Sequence, residues 1–511
     1  MTPAHLVAGQ SVLQRIDYHA ILPELVLAGA AVVVLLADLF LPVRRKWLAM
    51  PISLLGMLGA LVATLTLTGG DGRATFCLPA DSGGGCSFVV DQFALIFKVV
   101  FLGAGVVVLL LSLDYFDDPR YYQGEYYFLL LCSFFGMLAI ASSRDLIMLF
   151  ISLEIVSVPG FIIAGFRKTD TRSSESALKF FLIGVLATAV MLFGMSLVYG
   201  LTGSVQLSVI AQHLAAPEFV RTPLAGAAVA LVIVGFAFKV SAVPFHFWAP
   251  DTYQGAPVPV AAFLSVASKA AGFTGLMAVC FIGFRPYGDV WGPMLAILAA
   301  LTMTVGNLVA LQQRHMVRLL AYSSVAQAGY MLVPLGVAAA TRGPALDAAF
   351  GATLAYIAIY AVMNLGVFAC VIAVARRTPR NNIADYRGLV RSSPVVAVLL
   401  AFFLLCLAGV PPGIAGMWAK IQVFRATIDG RMVWLGAVMA VNTVIAAYYY
   451  LRVAFGLFAG VGEAGEAPLE PLRLQPAVGF AIGLTAIATV AISFYPSLVF
   501  YFTPASVLAA R

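Results

Sequence analysis

The chain has 511 residues, of which 62% are hydrophobic and 10% charged, and its mean hydropathy is +0.99. A soluble globular domain carries about 25% charged residues, so this composition excludes one and points to an integral membrane protein. The formal charge of +7 needs no nucleic acid, because basic loops facing anionic lipid account for it.

Apolar runs close to the ~20 residues that cross a bilayer recur along the whole chain, and helices rather than a barrel then satisfy the backbone. Hydropathy and breaker positions predict fourteen spans: 20–41, 47–68, 92–114, 126–142, 144–166, 177–201, 224–247, 258–283, 290–312, 316–338, 346–375, 393–423, 432–459 and 475–500. Only Ser142-Ser143-Arg144-Asp145 divides 126–142 from 144–166. Residues 1–19 lack the apolar core of a cleavable signal. The hydrophilic stretches 69–91 and 460–474 read as surface loops, leaving a single membrane domain over 1–511.

Odd-numbered loops carry fifteen basic residues (Arg44, Arg45, Lys46, Arg120, Arg167, Lys168, Arg172, Arg314, Arg318, Arg376, Arg377, Arg380, Arg387, Arg391, Arg473), against nine in the even loops and tails (Arg15, Arg73, Arg144, Arg221, Arg285, Arg342, Arg425, Arg431, Arg511). That excess places the odd loops in the cytoplasm and both termini outside. Cys132, Cys280, Cys370 and Cys406 are scattered in apolar helices, where a small packed side chain is the plain reading. Cys77 and Cys86 share the outer loop 69–91 and are candidates for a disulfide. No CxxC pair or Cys/His cluster offers a metal or iron–sulfur site.

Span seven runs into Val243-Pro244 and Trp248-Ala249-Pro250, and span twelve is interrupted by Gly409-Val410-Pro411-Pro412-Gly413. Each holds an interior lysine. The two lie five spans apart, so a second copy of the first would run the opposite way, as in transporters built from inverted repeats with broken helices. The frequency of proline and glycine in membrane helices is the competing explanation.

Only seven of the thirty basic residues are lysines, and Lys239, Lys269 and Lys420 lie inside apolar stretches, as does Glu154. Arginine stays protonated, whereas a desolvated lysine can release its proton near neutrality, so this set is a candidate proton path. Glu154, near the middle of span five, is expected to face the bundle interior, neutral or paired with a cation. His246 follows Lys239 by seven residues, beside the proline break, and suits proton transfer between lysines. Lys420 reads as lying toward the outer end of span twelve. Lys98 and Lys179 are near helix ends, where snorkelling is the default, although Lys179 also stands as a modulator of Glu154. Asp251 reads as an anchor for the segment after the break. Gln312-Gln313-Arg314-His315, Ser323-Ser324 and Gln327 mark a polar turn and one face of span ten, while Glu24, Asp38 and Asp91 carry little weight. A packed ion pair between Glu154 and one lysine is the structural alternative; three lysines and a histidine exceed what one pair requires.

The run Phe238 to Val260, FKVSAVPFHFWAPDTYQGAPVPV, followed by SVASKA at 265–270, closely resembles the antiporter-like membrane subunits of bacterial proton-pumping NADH:quinone oxidoreductase, respiratory complex I. The Tyr-Gln-Gly-Ala-Pro stretch and AYSSVAQAGY at 321–330 resemble the N type more than the L and M types. The M type has glutamate where this chain has Lys420, and the L type extends into a long lateral helix where this chain stops at Arg511.

The resemblance, which covers essentially the whole chain, implies an all-α polytopic membrane fold of fourteen helices. A three-helix segment at 1–125 precedes inverted repeats over spans four to eight (126–285) and nine to thirteen (286–460), and 461–511 supplies the last helix. It places a line of charged residues on Glu154, Lys239, Lys269 and Lys420. It implies a proton-translocating subunit without a redox centre of its own, in a bacterial inner membrane, beside neighbouring antiporter-like and small membrane subunits. NAD, FMN, iron–sulfur clusters and quinone belong to partner subunits on this reading. A free-standing cation/proton antiporter subunit is the alternative. Mass spectrometry of the unreduced protein is expected to find a Cys77–Cys86 linked peptide; two free thiols there would rule the bridge out.

Overall fold

Inside a bilayer no water reaches an open carbonyl or amide, so a chain of this composition must close its backbone hydrogen bonds locally. The computed structural model does so almost entirely with helices. It describes residues 16–70, 72–77, 85–113, 115, 123–217, 222–375, 381–459, 472 and 474–500. The expected orientation charges Arg15, Arg120, Arg221, Arg376, Arg377, Arg380, Arg473 and Arg511, and most of loop 460–474, lie outside the described residues.

Helices α1 (Leu22–Phe40) and α2 (Ala49–Thr66) lead to a hairpin of β1 (Arg73–Cys77) and β2 (Cys86–Val90), then to α3 (Gln92–Leu113), α4 (Gln123–Ser142), α5 (Leu146–Ala164) and α6 (Thr171–Thr202). A short α7 (Leu207–Leu214) precedes α8 (Pro223–Lys239) and α9 (Trp248–Gly255). Next, α10 (Val258–Phe263) and α11 (Lys269–Ala278) form one rod with π-type turns at Leu264–Ser268 and Val279–Gly283. The remainder comprises α12 (Gly288–Leu311), α13 (Met316–Ala338), α14 (Pro344–Ala375), the four-residue α15 (Leu389–Ser392), α16 (Pro394–Ala408), α17 (Ile414–Asp429), α18 (Val433–Phe458), α19 (Pro476–Phe494) and the short α20 (Ser497–Phe500).

Among the described residues, eleven helices are long and apolar enough to cross a membrane, and Pro223–Lys239 and Pro394–Ala408 are shorter apolar helices. The helix ends follow local chemistry. Asp145 caps α5 by accepting from the Met148 amide at 2.7 Å, which turns the narrow Ser142–Asp145 interruption into a true helix boundary. Asp170 caps α6 in the same way and starts it six residues before the apolar run begins. His315 caps α13, accepting from the Arg318 amide.

The loops gather at two ends of the bundle. At one, the 312–315 turn pairs with residues 381–383, the Met316 amide reaching the Asn381 carbonyl at 2.8 Å and the Ile383 amide the Arg314 carbonyl at 2.8 Å. Asp251 of α9 joins this end by holding Arg318 at 2.8 Å and Lys179 at 3.4 Å. At the other, the hairpin is hooked to the turns before α5 and α7: the Arg144 amide donates to the Ser87 carbonyl at 2.9 Å, and Gln206 Nε2 to Ser87 Oγ at 3.0 Å. A disulfide joins Cys77 and Cys86, which stand opposite each other in the hairpin register.

Three acidic residues to which the sequence pattern assigns little weight are ion-paired. Asp91 holds the buried Arg144 at 2.6 Å, and Asp38 holds Lys46 at 3.0 Å. Lys98, expected to snorkel, is instead fully buried and meets Glu24 at 2.8 Å, with its ammonium 5.0 Å from the Phe88 ring centroid. The hairpin and α1 cover the end of α3, so the lysine cannot reach the interface and a carboxylate from another helix neutralises it. Removing one partner of such a pair leaves a bare buried charge. Glu24→Leu is therefore expected to destabilise the protein by about 3–5 kcal/mol, and the double change Glu24→Leu/Lys98→Met far less, as read from thermal unfolding in detergent.

Candidate functional site

Glu154 lies on α5 one turn before Ser157. Its Oε1 accepts from Thr188 Oγ1 of α6 at 3.0 Å. It is half-buried, at the edge of a helix face whose Ile147, Ile151, Val158 and Ile162 are exposed. The sequence places it facing the bundle interior; the structure puts it on the rim between α5 and α6, because the interior face of α5 is taken by Leu149, Leu153, Val156 and Ile163. Lys239, the last residue of α8, is buried and donates from Nζ to Ser157 Oγ at 2.9 Å. Lys239 thus reaches α5 one turn from Glu154, and among the described residues the two form no direct ion pair.

After Lys239 the helix opens. Ala242 N reaches back to Ala237 O at 2.8 Å, Ser241 takes a positive φ of 61°, and the Val243–Pro244 peptide is cis. Trp248 Nε1 satisfies the Phe238 carbonyl at 3.1 Å, and Thr302 of α12 takes the Val243 amide at 2.9 Å. The loop between α8 and α9 carries His246, which is buried, with only 5% of its surface exposed. Lys269 begins α11 directly after the π-type turn Leu264–Ser268, a distortion often found where a helix carries function. Its Nζ donates to the backbone oxygen of Ser324 on α13 at 2.9 Å and also to Ser324 Oγ.

From Ser324 a band of polar groups leads across the second half of the bundle. On α13, Ser323 Oγ and Tyr450 OH of α18 are hydrogen-bonded. Gln327, one turn on, donates from Nε2 to the Leu407 carbonyl at 3.1 Å and to Tyr450 OH at 3.3 Å, and accepts from Tyr356 OH at 2.6 Å. Lys420 sits in the second turn of α17, but its amine reaches back to the Ala408 carbonyl at 2.6 Å, at the end of α16, and lies 5.0 Å from the Tyr330 ring centroid. Counting along the chain puts this lysine near a helix end; the broken helix instead brings it inward, and it is 6% exposed. Beyond Tyr330, Asn307 donates to Tyr330 OH at 3.3 Å and to Asn442 Oδ1 at 3.2 Å, and accepts from Tyr449 OH at 3.1 Å.

Lys179 does not join this band. It pairs with Glu175 at 2.7 Å and with Asp251 at 3.4 Å, in a cleft of about 740 Å³ lined also by Arg167, Arg172 and His315. Its contacts are therefore with the loop end of the bundle rather than with Glu154. Tyr330, Tyr356, Tyr449 and Tyr450 gain their place at the site only from the fold; the triple Tyr448-Tyr449-Tyr450 inside an apolar helix was the available sequence signal.

The lysines, Glu154, His246 and both broken helices lie in a stretch that matches a known family, with Tyr449 and Tyr450 just beyond its end. Residues 143–446 match the family model described as NADH:quinone oxidoreductase/Mrp antiporter, TM. Over 97% of its length the chain is 48% identical to NADH-quinone oxidoreductase subunit N 2 of Streptomyces griseus, covering 95% of that protein. The chain belongs to the subunit N family of NADH-quinone oxidoreductase. Among solved structures, a chain of respiratory complex I from Thermus thermophilus is 31% identical, with 94% of this chain and 98% of that one covered and a TM-score of 0.75. A chain of the Mrp complex from Dietzia sp. is 20% identical, covers 96% of both chains at a TM-score of 0.80, and shares the fold. Within the matched residues 143–446 lie Glu154, Lys239, His246, Lys269 and Lys420, together with both broken helices.

The break beside Lys420 depends on Gly409, whose φ of +72° would be strained for any other residue and whose added Cβ would come within 3.0 Å of Lys420 Cδ. Gly203 ends α6 at a similar φ of +67° in open space. Replacing either by alanine is expected to lower stability by about 1–2 kcal/mol through backbone strain. Thermal unfolding is expected to show a larger loss for Gly409→Ala, since only there must a buried lysine also shift.

Proposed function

We propose that this chain is a proton-translocating membrane subunit of NADH-quinone oxidoreductase, coupling quinone reduction elsewhere in the complex to proton transfer along its buried charged residues. The observation that carries the reading is the company kept by the lysines. Lys239, Lys269 and Lys420 are each buried and each held by hydroxyl or carbonyl oxygens, whereas Lys46, Lys98 and Lys179 are held by carboxylates. A carboxylate partner fixes an ammonium, and neutral oxygens leave both protonation states accessible.

On this reading protons enter from the cytoplasm to Lys239, whose affinity Glu154 tunes. They pass His246 and water to Lys269, and leave by Lys420 to the outside. The rim position of Glu154 suits a charge that senses a neighbouring subunit. The fourteen-span reading, with inverted repeats at 126–285 and 286–460 flanked by 1–125 and 461–511, is supported by paired broken helices at α8/α9 and α16/α17. The partition of loops into two ends supports odd and even loops on opposite sides, and the excess of basic residues in the odd loops carries the reading that those are cytoplasmic and both termini outside, in a bacterial inner membrane. NAD, FMN, iron–sulfur clusters and quinone would be carried by partner subunits, with other antiporter-like and small membrane subunits as neighbours.

The shared fold with the Mrp complex chain favours a second reading, a subunit of a free-standing cation/proton antiporter. Purification separates them: the first reading expects NADH-oxidising, flavin-containing subunits to accompany the chain, the second does not.

In membrane vesicles, Lys239→Ala and Glu154→Ala complexes are expected to assemble and to lose proton-coupled quinone reduction by about tenfold or more. Lys239→Arg is expected to fail similarly, since it keeps the charge but not the exchangeable proton. Normal coupled turnover in all three would remove both residues from the path.

A further inference from the structure

The end of α16 poses a specific problem. The helix stops at Ala408 within the bundle, where its last carbonyls have no water to turn to. The Leu405 and Cys406 carbonyls are taken by the amide of Gly409, and Leu405 also by that of Val410. The Leu407 carbonyl is taken by Gln327 Nε2 at 3.1 Å, and the Ala408 carbonyl by Lys420 Nζ at 2.6 Å. The buried glutamine and the buried lysine thus complete one helix terminus side by side.

Gln327 is itself fixed. Its Oε1 accepts from Tyr356 OH at 2.6 Å, its amide also reaches Tyr450 OH at 3.3 Å, and Ser323 holds Tyr450. One turn along α13, Tyr330 puts its ring under the Lys420 ammonium and stacks on Tyr356 with 6.3 Å between ring centroids. All of these side chains are almost wholly buried. The same side of α13 carries Ser324, the partner of Lys269.

We propose that Gln327 is a positioning residue for Lys420: by occupying the Leu407 carbonyl it leaves Ala408 as the seat of the lysine amine and sets where that amine stands relative to the polar band from Lys269. The proposal rests on the reading of Lys420 as a proton carrier. It assigns Gln327 no proton of its own. With the glutamine gone, the amine has two adjacent open carbonyls at a helix terminus and no longer a single seat.

The test is a double-mutant cycle in the assembled complex, reading coupled quinone reduction in membrane vesicles for Gln327→Met, Lys420→Ala and the pair. Gln327→Met keeps length and volume and removes both hydrogen-bonding groups. Lys420→Ala and Gln327→Met are each expected to slow turnover about tenfold, and the pair to be within about twofold of Lys420→Ala alone, because residues that act through one another are not additive. Multiplying losses, or Gln327→Met at full rate beside an impaired Lys420→Ala, would overturn this inference and leave the proposed function standing. Full rate in Lys420→Ala would remove that residue's proposed role and this inference with it. Should Gln327→Met fail to assemble, Tyr356→Phe loosens the glutamine without touching α16. A loss of about threefold is then expected, absent in the Lys420→Ala background, and its persistence there would be equally decisive against the inference.

Discussion

A helix that ends inside an apolar bundle must hand its last carbonyls to some other donor, and much of this structure follows from how that is done twice. At α8 the Phe238 carbonyl goes to the Trp248 indole and the opened segment is held by Thr302. At α16 the last two carbonyls go to Gln327 and Lys420. Polar side chains that would be expensive in lipid are thereby given work at the breaks. The breaks in turn bring lysines to depths that an unbroken helix of the same sequence would not reach.

Charge is divided accordingly. Where a cation sits near a bundle end or beneath the hairpin, a carboxylate meets it, as at Glu24–Lys98, Asp91–Arg144 and Asp251–Arg318. Across the middle, three lysines are met by Ser157, Ser324 and the Ala408 carbonyl instead. Ion pairs tie helices together and resist change; amines resting on neutral oxygens can change state without a buried counter-charge being left alone. The two kinds of contact separate a scaffold from a candidate path within one bundle. Glu154 stands between them, hydrogen-bonded to Thr188 and bordering an exposed apolar face of α5.

The polar band of the second half shows how membrane helices are joined when apolar burial cannot discriminate protein from lipid. Interhelical hydrogen bonds through Asn307, Gln327, Tyr356, Tyr450 and Asn442 link α12, α13, α14 and α18. Tyrosine is suited to this, since its ring packs as a hydrophobe while its hydroxyl serves as both donor and acceptor. Family membership places the chain among subunit N proteins; the arrangement around Lys420 gives that membership a local physical content.

Apolar run length and breaker position were legible in the sequence, because bilayer thickness and backbone satisfaction act on each segment alone. That is why eleven of the fourteen predicted runs fall on helices long and apolar enough to cross a membrane among the described residues, and why Ser142–Asp145, where Asp145 caps α5, reads as a boundary in the sequence. The chemical singularity of Glu154, Lys239, Lys269 and Lys420 was legible for the same reason: an ionisable group in an apolar run is anomalous wherever it points. Direction was not. A helix has an inside and an outside only when its neighbours are known, so tertiary structure alone decided that Glu154 lies on the rim, that Lys98 is paired with Glu24 and that Lys179 turns to Asp251. The seat of Lys420 was likewise beyond the linear chain, since it is made by a carbonyl twelve residues back and a ring on another helix, brought together by the break at Gly409.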